Sequence, residues 1–148
     1  MKVEKYQLKS ESSFKTFEFI SEGPKGLMRK RIEFQKTNDP RLFNLAFGDK
    51  NPDTGEINDK VVSNNADSEK VLATVVAAVY TFFDKHPNTF IYATGSTKAR
   101  TRLYRMGITK YYEEMMKDFH RYGQIGDEFY PFELGKDYDG FLAQRKFE

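Results

Sequence analysis

The stretch IYATGSTKARTRLYR, residues 91–105, concentrates the residue types most able to grip an anion. It runs from an apolar segment through one glycine and a hydroxyl cluster into Lys98, Arg100, Arg102 and Arg105. From Lys85 to Tyr112 there are six lysines or arginines and no acid. A strand ending at Gly95, followed by a helix capped by Ser96 or Thr97, leaves several backbone N–H groups pointing at one spot. The helix dipole favours negative charge there. On a helical wheel Lys98, Arg102 and Arg105 fall within about 60° of one another, so they form one basic face. Arg100 points nearly opposite, toward Leu103. It either pairs with a carboxylate or reaches back to the helix start. The expected anion or nucleic-acid site is therefore Gly95, Ser96, Thr97, Lys98, Arg100, Arg102 and Arg105. The competing expectation is a capped helix with a solvated basic face. With one glycine and no G-x-x-x-x-G-K-[ST] pattern, the segment is not a nucleotide P-loop.

Other chemistry is sparsely supplied. Catalysis by Ser96 or Thr97 needs a base. His86 lies about ten mostly extended residues before Ser96, roughly 25–30 Å away, and His120 approaches only through the tertiary fold. Both histidines are expected to be structural. The stretch DKNPDTGEIND (49–59) places Asp49, Asn51 and Asp53 at the alternate spacing of a calcium loop. However, its glycine is at position seven rather than six, and Lys60 stands where the bidentate glutamate belongs. A hairpin turn is the expectation. The acids Asp49, Asp53, Glu56, Asp59, Asp67 and Glu69 make this region the electrostatic opposite of 85–112. Carboxylates beside a phosphate clamp are the ingredients of a metal-assisted phosphoester hydrolase. Tyr104, Tyr111, Tyr112, Tyr122 and Tyr130 could stack bases, although core and rim positions are the commoner use of such residues.

The bulk numbers bound these options. The chain has 148 residues, 39% hydrophobic and 31% charged, with 14 Phe and 9 Tyr but no Trp. That length suits one domain with a sizeable core. A net charge of +2 gives no support to general polyanion binding, so such a role needs local clustering. There is no cysteine, which excludes disulfides and thiol chemistry and leaves two histidines as soft metal ligands. No metal or cofactor is expected. The N-terminal residues have no apolar run of signal-peptide length, and the longest apolar run, 75–80, is too short to span a bilayer. A soluble, cytoplasmic protein without membrane contact is the expectation.

Periodicity places the elements that must hold the basic segment. SFKTFEFIS (13–21) alternates, setting Phe17 and Phe19 on one face, and LMRKRIEF (27–34) follows a Gly-Pro turn as its hairpin partner. RLFNLAFG (41–48) is a third strand, and KVVS (60–63) a possible short returning one. A helix over 67–85 carries Val71, Leu72, Val75, Val76, Val79, Phe82 and Phe83 at helical spacing. Asn64, Asn65 and Asp67 are candidate caps, and His86-Pro87 ends the helix. NTFIYATG (88–95) reads as a buried strand. Beyond it Ala99, Leu103 and Met106 share one helical side, while Tyr104, Ile108, Tyr111, Met115 and Phe119 share another. This change of side predicts two short helices or a kink at Gly107, with Thr109 capping the second. The tail, including GFLAQRKF (140–147), supplies one or two last strands. The order points to an α+β fold: a mostly antiparallel sheet with two or three helices packed on one face.

NLAFGD (44–49), SNNADSEKVLATV (63–75) and TGSTKARTRLYRMGI (94–108) resemble a family of small uncharacterised bacterial proteins, a domain of unknown function, over roughly Phe17 to Lys146. The resemblance implies a bacterial domain and carries no activity or catalytic residue with it. The function expected from the residues is binding of nucleic acid or a phosphorylated ligand through the basic helix start. The alternatives are a protein partner, as in a toxin–antitoxin component or an assembly subunit, and the metal-dependent hydrolase.

Overall fold

A computed structural model describes residues 4–58, 65–95 and 98–146, leaving aside the side chains of residues 99 and 100. The strands are β1 (Lys9–Ser10), β2 (Thr16–Gly23), β3 (Gly26–Lys36), β4 (Leu42–Lys50), β5 (Ile57–Asn58), β6 (Phe90–Ala93), β7 (Phe119–Ile125), β8 (Glu128–Pro131) and β9 (Gly140–Arg145). The helices are α1 (Ser68–Lys85), α2 (Lys98–Lys110) and α3 (Tyr112–Asp118). One sheet runs β1-β2-β3-β4-β6-β9-β7-β8, with β5 paired to the far end of β4. Every pairing is antiparallel except β4 with β6, which are joined through α1. The fold is α+β, as the order of elements predicts. No described helix is long and apolar enough to cross a membrane.

Strand alternation decides which face is buried. Phe17 pairs with Ile32 and Ile32 with Phe47, while Phe34 pairs with Leu45, so these side chains share the face that α1 covers. Phe82 of α1, fully buried, stacks on Phe34 at 4.3 Å between ring centroids and meets Phe43 edge-on at 5.1 Å. Rings in such arrangements contribute beyond their buried area, by about 0.5–1.5 kcal/mol per pair. Val71, Leu72, Val75, Val76, Val79, Phe82 and Phe83 are all buried, as their spacing predicts. Ala73, Thr74 and Ala78 are buried too, because α1 is covered on its outer side as well. There the backbone N–H of Tyr6 donates to Thr74 Oγ1 at 2.8 Å, and α2 crosses at Gly107.

The two-helix reading of 98–118 holds, but the break is not at Gly107. α2 continues through Gly107 to Lys110, and the chain turns at Tyr111, where φ is −104° and ψ 28°. Tyr104, Tyr111 and Met115 form the buried stripe, whereas Met106 is 43% exposed, so the two stripes never compete for one core. A Cβ on Gly107 would stand 3.3 Å from Leu72 Cδ2, so this glycine serves the close approach of α2 to α1. Thr109 lies inside α2 and caps nothing. Phe119, assigned above to the helical stripe, opens β7. The β7–β8 hairpin and the short β1 were not expected; three strands, not one or two, follow the helices. Residues 60–63 and Asn64 lie outside the described residues.

Val75→Asp should abolish the cooperative thermal melt, since an unpaired buried carboxylate costs several kcal/mol, close to a whole stability margin. Gly107→Ala should change stability by less than about 1 kcal/mol, the gain in helix propensity offsetting the contact with Leu72. Gly107→Leu, which must push α2 off α1, should cost about 1–3 kcal/mol in denaturant titrations.

Candidate functional site

The parallel pair β4/β6 fixes where the basic segment begins. Leu42 to Leu45 pair with Phe90 to Ala93, after which β6 stops. β4 runs on and meets β5 only at Asp49 and Lys50. The chain therefore leaves the sheet at the carboxyl end of β6, beside the middle of the longer β4, and α2 begins at Lys98. Two clefts meet there and share Thr94 and Gly95. The first, of about 460 Å³, is lined also by Arg31, Glu33, Asn44 and Glu56. The second, of about 580 Å³, is lined by Lys98, Thr101, Arg102 and Arg105 and closed opposite by Asp137, Tyr138 and Asp139.

Of the seven expected site residues, Gly95, Lys98, Arg102 and Arg105 line the second cleft together. Lys98 and Arg102 are exposed and make no ion pair among the described residues. Arg105 is paired through Nη1 with Asp137 of the opposite wall. The Gly95 N–H, expected to face an anion, donates instead to Thr101 Oγ1 at 2.9 Å. Ser96, Thr97 and the Arg100 side chain lie outside the described residues.

The opposite wall was not foreseen. Thr94 Oγ1 donates to the Asp139 carbonyl at 2.7 Å, and Asp139 Oδ2 accepts from the Gly126 N–H at 2.9 Å. Tyr138 lies over Gly123, where an added Cβ would stand 2.3 Å from its ring. Nothing local in the sequence signals that residues 137–139 face residues 32 to 45 positions earlier.

Several of the other candidates have structural employment, while His120 is exposed on β7. His86 bonds the Ser13 carbonyl through Nε2 at 2.8 Å and packs against Phe82 at 4.8 Å. Residues 51–56 form a hairpin turn in which Asn51 Oδ1 accepts from the N–H groups of Asp53 and Thr54. The acids are dispersed: Asp49 pairs with buried Lys30, and Glu69 with Lys110. Glu56 lines the first cleft, and the described residues hold no group of three metal-ligating side chains. Tyr104 and Tyr111 are buried.

Asp67 does not cap α1 with its side chain. Its carboxylate accepts from Tyr6 at 2.6 Å and from Ser21, while burial, then the Asp67 bond, push the Tyr6 hydroxyl above its ordinary value. Asn65, also buried, donates to the Ser21 hydroxyl at 3.2 Å and the Gly26 carbonyl at 2.9 Å, and accepts from the Lys25 N–H at 2.7 Å. These residues tie the approach to α1 onto the β2–β3 turn, so Asn65 and Asp67 form a structural clasp. Asn65→Ala should destabilise by about 1–3 kcal/mol in chemical denaturation, because several buried polar groups lose their partner, while Asp67→Asn, which keeps a hydrogen-bonding oxygen, should cost less.

No curated protein and no solved structure matches the chain. The model of a family of unknown function (DUF6934) matches residues 2–146. With nearly its whole length covered, the chain belongs to that family.

Proposed function

We propose that the protein binds a phosphate-bearing partner, nucleic acid being the favoured class, through the cleft at the start of α2. The residues are Gly95, Ser96, Thr97, Lys98, Arg100, Arg102 and Arg105. The observation that carries this reading is the convergence of Lys98, Arg102 and Arg105 on one open cleft, with Lys98 and Arg102 unpaired among the described residues. Exposed cations that make no ion pair contribute little to folding, and a polyanion gives them a partner. Arg105 is held by Asp137, so an incoming phosphate competes with that carboxylate, and the acid sets a threshold that weak anions do not pass. A bacterial, cytoplasmic setting fits this reading.

Binding of short RNA and DNA, followed by fluorescence anisotropy at two salt concentrations, tests it. Lys98→Ala and Arg102→Ala should each weaken binding and lower the salt slope by about one, with unchanged melting temperature. Arg105→Ala should weaken binding similarly. Asp137→Asn should strengthen binding by up to about fivefold, the range of one surface ion pair. No detectable binding at low salt by the stable wild-type protein would overturn the reading and leave the basic face to a protein partner.

A further inference from the structure

We infer that the face of the sheet opposite the helices is a base-stacking platform, and that the partner is a single-stranded nucleic acid. This rests on the phosphate-binding reading of the α2 cleft. Among the described residues no element covers that face. An antiparallel sheet with one solvated face normally alternates apolar inside and polar outside. The β2–β4 half follows the rule: Glu18, Arg31, Glu33 and Lys50 form ion pairs across it. The β6–β9–β7–β8 half departs from it. In the register Tyr92 stands beside Leu142, and Leu142 beside Tyr122, so all three point outward with Phe90, two residues before Tyr92. Phe129, 44% exposed on the edge strand, points the same way and meets the Tyr92 ring edge-on at 6.2 Å between centroids. Gly140 makes that meeting possible, because a Cβ there would stand 2.8 Å from the Tyr92 hydroxyl.

Three features select the occupant. First, the outward residues of this half, from His120, Tyr122 and Gln124 to Leu142 and Gln144, include no acid. Aromatic faces without carboxylates suit stacked bases; the Arg41 guanidinium lies 6.0 Å from the Phe90 centroid, and Gln124, whose Oε1 accepts from the Tyr92 hydroxyl, keeps its amide N–H groups for base edges. Second, the rings are spread out: Phe90 and Tyr92 share one face of β6, and the Tyr92 ring reaches across Gly140 to Phe129 of β8, so successive bases find separate places to land. Third, the platform is continuous with the cations. Tyr92 leads within two residues to Thr94 and Gly95, which line the cleft carrying Lys98, Arg102 and Arg105. A strand laid with its bases on β6 and β7 reaches Lys98 and Arg102 by passing its backbone round the end of β6 at Thr94 and Gly95. A duplex hides its base faces and gains nothing from the rings.

The test compares a labelled single strand of about eight nucleotides with an abasic strand of the same length and charge, by fluorescence anisotropy. Wild type should bind the base-bearing strand roughly tenfold or more tightly than the abasic one, the range of one or two stacked bases. Phe129→Ala combined with Tyr122→Ala should lose most of that preference and keep the abasic affinity. Arg102→Ala should weaken both strands alike. Phe129→Ala alone, at an exposed edge position, should melt as wild type and still lose part of the preference, so misfolding of the double variant does not decide the matter. Equal affinity of wild type for both strands, still reduced by Arg102→Ala, would overturn the platform and leave the cleft reading intact. Binding of neither strand would overturn both. A self-association that Phe129→Ala dissolves would overturn the platform alone, because the face would then belong to a second copy.

Discussion

The packing of Phe82 against the sheet is the contact on which the remaining geometry hangs. Its ring lies on Phe34, meets Phe43 and Phe83 edge-on, and supports His86, so β3, β4 and the end of α1 are fixed by one buried side chain. Holding α1 down in this way forces the chain to re-enter the sheet beside β4 and parallel to it. That single parallel pairing in an otherwise antiparallel sheet places the end of β6 in the interior of the sheet rather than at its rim. The basic segment is thus delivered to a concave place by the hydrophobic core, and the Arg105–Asp137 pair then joins its two walls.

A polar clasp complements that apolar junction. Ser21 and Asn65 are buried and, with Asp67 and Tyr6, bond to one another and to the β2–β3 turn. Desolvated groups of this kind stabilise only when all are partnered, which makes the approach to α1 unusually specific about its own geometry. Two stretches that stand out in the sequence therefore have different physical roles: Asn65 and Asp67 hold the fold, and Lys98 and Arg102 face solvent.

What the sequence disclosed follows from the range of each interaction. α1 was legible because its apolar spacing and the His86-Pro87 stop act within a few residues, and the β2–β3 hairpin because alternation does the same. The helix break was misplaced because glycine signals either a C-terminal cap or a close approach. Only the contact with Leu72, 35 positions away, separates the two. The β7–β8 hairpin did leave a local signal: Gly126-Asp127 between two short extended runs, with Gly126 at φ +60°, is a two-residue turn. It was obscured because Tyr111, Met115 and Phe119 continue a helical period. At the site, the common face of Lys98, Arg102 and Arg105 could be read from the wheel. The wall at 137–139 and the rings of β6, β7 and β8 could not, since strand order brings them together and strand order has no local signature.

Strand order also has a temporal side. β9 lies between β6 and β7, so the last described strand is an interior one. Until residues 140–145 have been synthesised, the nascent chain holds two unfinished pieces, β1 to β6 with α1, and the β7–β8 hairpin. Each then presents an unpaired edge, and such edges recruit foreign strands. Contacts of this sequence separation also form slowly. The fold is therefore most vulnerable to misassembly before residues 140–145 are available, when the apolar side chains of the other strands are present and the strand that joins them is not.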